Sequence, residues 1–203
     1  MTDAHTTDTH EVFTVGHSNH GEQEFIELLR KHQIDVVADV RSQPYTGYAT
    51  HFNAGQIKSI LAAAGIQYVF LGEELGGRPA DPACYDADGY VLYDTVAASP
   101  HFQQGIQRLE AGVQRYRVAI MCSEENPAEC HRNLLIGRVL AGRGAVLRHI
   151  RADGRLQSQA DLDHESAKGD HRQQVLFDEL KEVPWRSIRS VLPKLPPPDS
   201  LEH

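Results

Sequence analysis

Cys122, Glu124, Cys130, His131 and Arg132 crowd into one short segment of the chain. Two thiols, a carboxylate, an imidazole and a guanidinium so close together can carry nucleophilic, acid–base or anion-binding chemistry. Three further clusters have the same character: Gly16-His17-Ser18, Asp39-Val40-Arg41-Ser42, and Glu74-Leu75-Gly76-Gly77-Arg78. Acid–base work falls to His17, Asp39 or Glu124, because a histidine near its ordinary pKa suits proton transfer at neutral pH. Cys122 or Cys130 is the candidate nucleophile, its thiolate stabilised by His131 and Arg132. Arg41 and Arg132 are placed to clamp an anion, with Ser18, Ser42 and Arg78 as further ligand contacts. Each residue also has a plainer role: Cys122 as a core hydrophobe, Arg41 in a salt bridge to Asp39 or Glu74, His17-Ser18 as turn chemistry.

The elements must bring these clusters together. Val118 to Met121 is an apolar strand running into a polar turn. There Asn126 can cap a helix, Pro127 suits its first position, and Glu129 stands where a capping-box carboxylate belongs. On a regular helix over 128–141, Leu134, Leu135, Ile136, Val139 and Leu140 form the apolar face. Arg132 and His131 then point inward and Cys130 lies on the opposite side; a distorted first turn reverses that ranking.

Zinc is disfavoured on this pattern. Cys122, Cys130, His131 and His17 are the right ligand types, but the spacing lacks a tight CxxC, and adjacent residues on a helix diverge. No P-loop or GxGxxG is present, so no cofactor and no metal are expected.

Strands are expected at 12–15, 35–40, 68–71, 117–122 and 145–150, alternating with helices. The helices carry Phe25 to Leu29, then Ile57 to Ala64 (capped by Asn53, stopped by Gly65), then Ser99-Pro100 to about Gln114. Such alternation predicts an α/β, single-domain, three-layer Rossmann-like fold with a mainly parallel sheet. In it the strand C-termini share one edge, and with them all four clusters. A Gly/Pro/Asp-rich loop spans 72 to about 90. Residues 1–11 read as a disordered lead-in, 12–150 as the core domain, and 151–200 as an extension with one helix near 171–181 and a Pro-rich tail at 193–198. Leu201-Glu202-His203 reads as an expression-tag remnant.

With 203 residues and 40% hydrophobic content, one sizeable core is within reach. No apolar run suits a membrane helix or secretory signal, and three widely spaced cysteines fit reduced thiols, so a cytoplasmic location without a membrane partner is expected. A formal charge of −8 opposes generic nucleic-acid binding while permitting a locally positive pocket.

Taken in order, Gly16-His17-Ser18, Asp39-Val40-Arg41-Ser42-x-Pro44, Phe52-Asn53, Tyr68, Glu74-Leu75-Gly76-Gly77 and Cys122-x-Glu124-x-x-Pro127-x-x-Cys130-His131-Arg132 resemble the DUF488 family over roughly residues 12 to 150. The resemblance implies a compact α/β domain with Gly-His-Ser and Cys-His-Arg segments suspected of catalysis, and no assigned substrate. One departure is the Tyr- and Thr-bearing stretch from Gln43 to Phe52, where more basic residues are expected in relatives; it weakens a nucleic-acid role. The expected function is an enzyme, a hydrolase or group transferase without a cofactor, acting on a small anionic ligand that is nucleotide-like or phosphate-bearing. The alternatives are a non-catalytic nucleotide or anion sensor, and a nucleic-acid-binding or -modifying protein.

Overall fold

A computed structural model describes residues 10–169 and 184–191. Six strands form one sheet: β1 (Glu11–Gly16), β2 (Val36–Asp39), β3 (Gln67–Phe70), β4 (Val118–Cys122), β5 (Val146–Ile150) and β6 (Leu156–Ser158). Their order is β3-β2-β4-β1-β5-β6, parallel except for β6, which runs antiparallel to β5. The α/β, mainly parallel expectation therefore holds. The order is not the 3-2-1-4-5-6 of the dinucleotide-binding fold, so the likeness to a Rossmann fold stops at the layers.

The central strands are apolar on both faces because both faces are covered. Val118, Ile120 and Cys122 of β4 point into one core, while Ala119 and Met121 point into the other. On the second face lie α1 (Glu22–Lys31) and α2 (Ala54–Ala63), through Phe25, Leu29, Ile57 and Leu61. On the first lie α3 (Gly72–Leu75), α4 (Tyr93–Ala98), α5 (Pro100–Val113) and α6 (Arg138–Gly142), with the turns that precede α6. The connection leaving β1 goes to one face and that leaving β4 to the other. Neighbouring strands whose connections part in this way open a crevice at their carboxyl ends.

Several local expectations are revised. The segment after β4 is not one helix over 128–141. Asn126 Oδ1 does accept from the Ala128 amide at 3.1 Å, but it caps only a 3₁₀ turn, Pro127–Glu129. Cys130 is then extended (φ −116°, ψ 139°), and helix resumes at His131 with a wide π turn over Arg132–Gly137 before α6. Asn53 occupies the N-cap position of α2 without capping it; its Oδ1 accepts from the Thr46 amide instead. The 72–90 stretch holds α3 and a 3₁₀ turn, Pro82–Cys84. Glu11 belongs to β1 rather than to a lead-in.

Beyond residue 150 the chain adds β6 and α7 (Gln159–Gly169). Ser158 and Asp161 exchange hydrogen bonds there, a capping box legible as S-x-x-D. The helix expected near 171–181 and the Pro-rich tail lie outside the described residues. Among the described residues no helix is long and apolar enough to cross a membrane.

Candidate functional site

All four clusters meet at the carboxyl edge, and the first sets the spacing. His17 and Ser18 extend the ladder from β1, their amides donating to the Cys122 and Ser123 carbonyls at 2.9 Å each. Gly16 is required there because a Cβ would stand 1.9 Å from the Glu124 carbonyl oxygen. Ser18 turns the chain with φ 44°. Its carbonyl accepts from His17 Nδ1 at 3.1 Å, which leaves Nε2 as the ring's acceptor.

That acceptor belongs to a buried network. Arg41 donates through Nε to Asp39 Oδ1 (2.9 Å), through Nη2 to Asp39 Oδ2 (2.6 Å) and the Phe52 carbonyl (2.8 Å), and through Nη1 to His17 Nε2 (3.0 Å). Tyr68 adds its hydroxyl to Asp39 Oδ2 at 2.9 Å. A buried ion pair persists when its polar atoms find further partners, and here each buried one does. Burial, followed by the Arg41 charge, lowers the His17 pKa to about 4. His17 is therefore neutral and already aimed at a guanidinium. It orients Arg41 and is ill suited to proton transfer at neutral pH. Asp39 is wholly buried beneath Arg41 and occupied by its partners. Of the five guanidinium hydrogens, one on Nη1 remains uncommitted among the described residues.

The second centre lies beside it, at the end of β4. Glu124 Oε2 stands within hydrogen-bonding reach of both sulfurs, Cys122 at 2.8 Å and Cys130 at 3.1 Å. His131 Nδ1 stands 3.7 Å from the Cys122 sulfur and 3.9 Å from that of Cys130. His131 Nε2 must donate to the Val40 carbonyl, 3.0 Å away, so Nδ1 is the nitrogen turned to the sulfurs. The break at Cys130 makes this possible, since Cys130 and His131 leave the chain from different backbone conformations and converge. Gly77 packs against the imidazole so tightly that a Cβ would come within 2.8 Å of its Cγ.

The two thiols titrate as a pair. Burial opposes a charge on Cys130, but the Cys122 hydrogen bond, the Arg132 charge and His131 together draw its pKa well down. The hydrogen bond to Cys130, then burial, holds the Cys122 proton well above the usual thiol range. Burial works against the His131 cation, and the Cys130 hydrogen bond and charge outweigh it, raising that pKa.

A cavity of about 460 Å³ opens on this edge. Arg41, Ser42, Arg78, Cys122, Glu124 and His131 line it. Ser42 Oγ accepts from the Arg78 amide at 2.9 Å and so holds that arginine at the rim. Cys130 is 1% exposed, behind Cys122. Arg132 points inward as the helical wheel requires, yet it does not reach the cavity. Its guanidinium donates to the Glu124 carbonyl, to the Glu125 carbonyl at 2.7 Å and to Thr14 Oγ1 at 3.4 Å. Arg132 therefore holds the 123–126 turn in place.

The far wall was not legible in sequence. It comes from residues 187–191, with Tyr93, Glu129, Gln43 and Tyr45. This returning segment is pinned by Ser187 to Val91 (2.9 Å, through its amide and its hydroxyl), by Trp185 Nε1 to the Leu134 carbonyl (2.8 Å) and by Arg189 to Glu129 (2.9 Å). Tyr68 was visible as part of the ordered motif series, without a role.

The family model described as a domain of unknown function, DUF488, matches residues 22–139. No curated protein and no solved structure matches the chain. The matched span takes in Asp39, Arg41, Phe52 and Tyr68 of the buried network and the whole Cys122–Arg132 segment, whereas Gly16-His17-Ser18 and the 184–191 wall lie outside it. With more than half of its length covered by that model, the chain belongs to the DUF488 family.

Proposed function

We propose that the protein is an enzyme, a hydrolase or group transferase, acting on a small anionic, phosphate-bearing substrate held in the carboxyl-edge cavity. The observation that carries this reading is the Cys122–Glu124–Cys130–His131 cluster opening into a cavity walled by Arg41 and Arg78. Arg78 is exposed at the rim, and no ion pair engages it among the described residues. It supplies the unneutralised charge for an anion. Arg41 offers one directed N–H, its charge being balanced by Asp39. Glu124 faces the same space and supplies proton transfer to or from the reacting group, a contribution of typically ~10²–10⁴ in rate. A sensor needs no such cluster, which is why the catalytic reading is preferred.

The test is a thermal-shift and turnover screen of nucleotides, sugar phosphates and simple phosphomonoesters on wild type and Arg78→Ala. A ligand at about 100 times its Kd adds about 2.7 kcal/mol to stability. A domain of this size would then melt several degrees higher, at about 2–4 °C per kcal/mol. The expected outcome is a shift and turnover in wild type, both weakened at least tenfold in apparent affinity by Arg78→Ala. Binding without turnover would leave a sensor; no response to any phosphate compound would remove the reading.

A further inference from the structure

We infer that Cys122, Cys130 and His131 form a transition-metal site of the zinc class, with its fourth position open toward the cavity beside Glu124. Tetrahedral geometry with Zn–S near 2.3 Å and Zn–N near 2.0–2.1 Å places a ligand sulfur and nitrogen about 3.6 Å apart. The Cys122–His131 and Cys130–His131 separations are 3.7 and 3.9 Å, and all three donor atoms lie within 4.8 Å of one another. A simple hydrogen-bonded cluster has no need for both sulfurs to stand at that distance from one nitrogen.

The outer contacts agree. A metal-bound histidine commonly donates its other N–H to a carbonyl or carboxylate, fixing ring and tautomer. His131 does so to the Val40 carbonyl, and Gly77 closes the other approach. Glu124 Oε2, at 2.8 and 3.1 Å from the sulfurs, is closer than the roughly 3.5 Å of a tetrahedral S···O edge. Its side chain is exposed, so the carboxylate has room to withdraw those few tenths of an ångström. Two soft thiolates with an imidazole select zinc or its analogues over calcium or magnesium.

The objection raised by the sequence was that adjacent Cys130 and His131 diverge on a helix. The extended backbone at Cys130 removes it. Binding takes both sulfurs as thiolates, so their protons leave to solvent as the metal enters. The fourth position faces the cavity beside Glu124 and would be open to a substrate oxygen or water. That chemical role rests on the enzymatic reading above, whereas the existence of the site does not.

The experiment uses the full chain, reduced and stripped with a chelator, then titrated with Co²⁺ and with Zn²⁺ against a chromophoric competitor. The expected result is one equivalent bound, tetrahedral d–d bands, and a sulfur-to-cobalt charge-transfer absorption that Zn²⁺ removes. Cys122→Ser, Cys130→Ser and His131→Ala should each weaken Zn²⁺ binding at least a hundredfold, while Cys84→Ser should leave it unchanged. Glu124→Gln should bind more weakly and keep the charge-transfer band. A wild-type cobalt spectrum without thiolate absorption would overturn the site whether or not the variants fold. So would loss of binding in Cys84→Ser, or two thiols that oxidise to a disulfide without taking up metal. Metal binding without turnover would remove the enzymatic reading and leave the site; turnover in the metal-free protein would leave that reading and remove only the metal's part in the reaction, and a failure to bind Co²⁺ would remove the site.

Discussion

Arg132 has no exposed surface and no carboxylate partner among the described residues; its charge is met by two main-chain carbonyls and the Thr14 hydroxyl. Removing a charged donor from such a place leaves carbonyls unsatisfied and a void behind. Arg132→Met should therefore destabilise the ligand-free protein by about 3 kcal/mol, with the melting temperature falling by about 2–4 °C for each kcal/mol. An unchanged melting temperature combined with lost ligand response would return Arg132 to the substrate. His17 has a comparable supporting position, since its neutral Nε2 takes one hydrogen of Arg41. Residue types and spacing told which side chains gather at this edge. They did not tell which of two neighbouring arginines faces the cavity, because that depends on where the backbone leaves helical geometry.

The wide turn at Arg132–Gly137 is the element on which the site is built, and π turns recur at functional sites. Trp185 donates to the Leu134 carbonyl inside that turn, lies 6.0 Å from Tyr93 in an edge-on contact and carries Arg138 over its ring. It fastens the returning 184–191 segment, and with it the far wall of the cavity, to the turn that follows His131. Trp185→Ala should raise KM for a cavity substrate by at least tenfold while lowering kcat little, because the wall is lost and the cluster stays. It should also cost about 3 kcal/mol or less, as the indole is only partly buried. A fall in kcat with KM unchanged would contradict this. Strands were readable from their apolar runs, and α5 from its Ser99-Pro100 start. The break at Cys130 was not, since Asn126 and Pro127 cap a 3₁₀ turn as well as they cap a helix.

Across the whole molecule two buried histidines tie the sheet to the layers around it. Thr14 bridges Arg132 to His149 Nδ1 at 2.9 Å, and His149 Nε2 donates to Gln159 Oε1 at 3.0 Å. Burial is the main cause that lowers both the His149 and the His17 pKa to about 4, below the value of 6.5 for an unconstrained histidine. The unfolded chain therefore takes up these protons first as pH falls. Their contribution to stability is whole above about pH 6.5, declines through the window down to about pH 4 and is gone below it, at roughly 3 kcal/mol for each histidine. Urea unfolding between about pH 7 and pH 5 should show stability decreasing with acidity, and His149→Gln should flatten that decrease. Identical pH profiles for the two proteins would contradict the assignment. By itself the chain determined the layered α/β class, the strand positions and the gathering of four polar clusters on one edge, because side-chain period and strand–helix alternation are local and cumulative. Tertiary structure alone decided the strand order, the inward turn of Cys130, the structural use of Arg132 and the closing of the cavity by residues 187–191. Each of these is a contact between residues far apart in sequence or a backbone kink set by packing, and neither leaves a periodic trace along the chain.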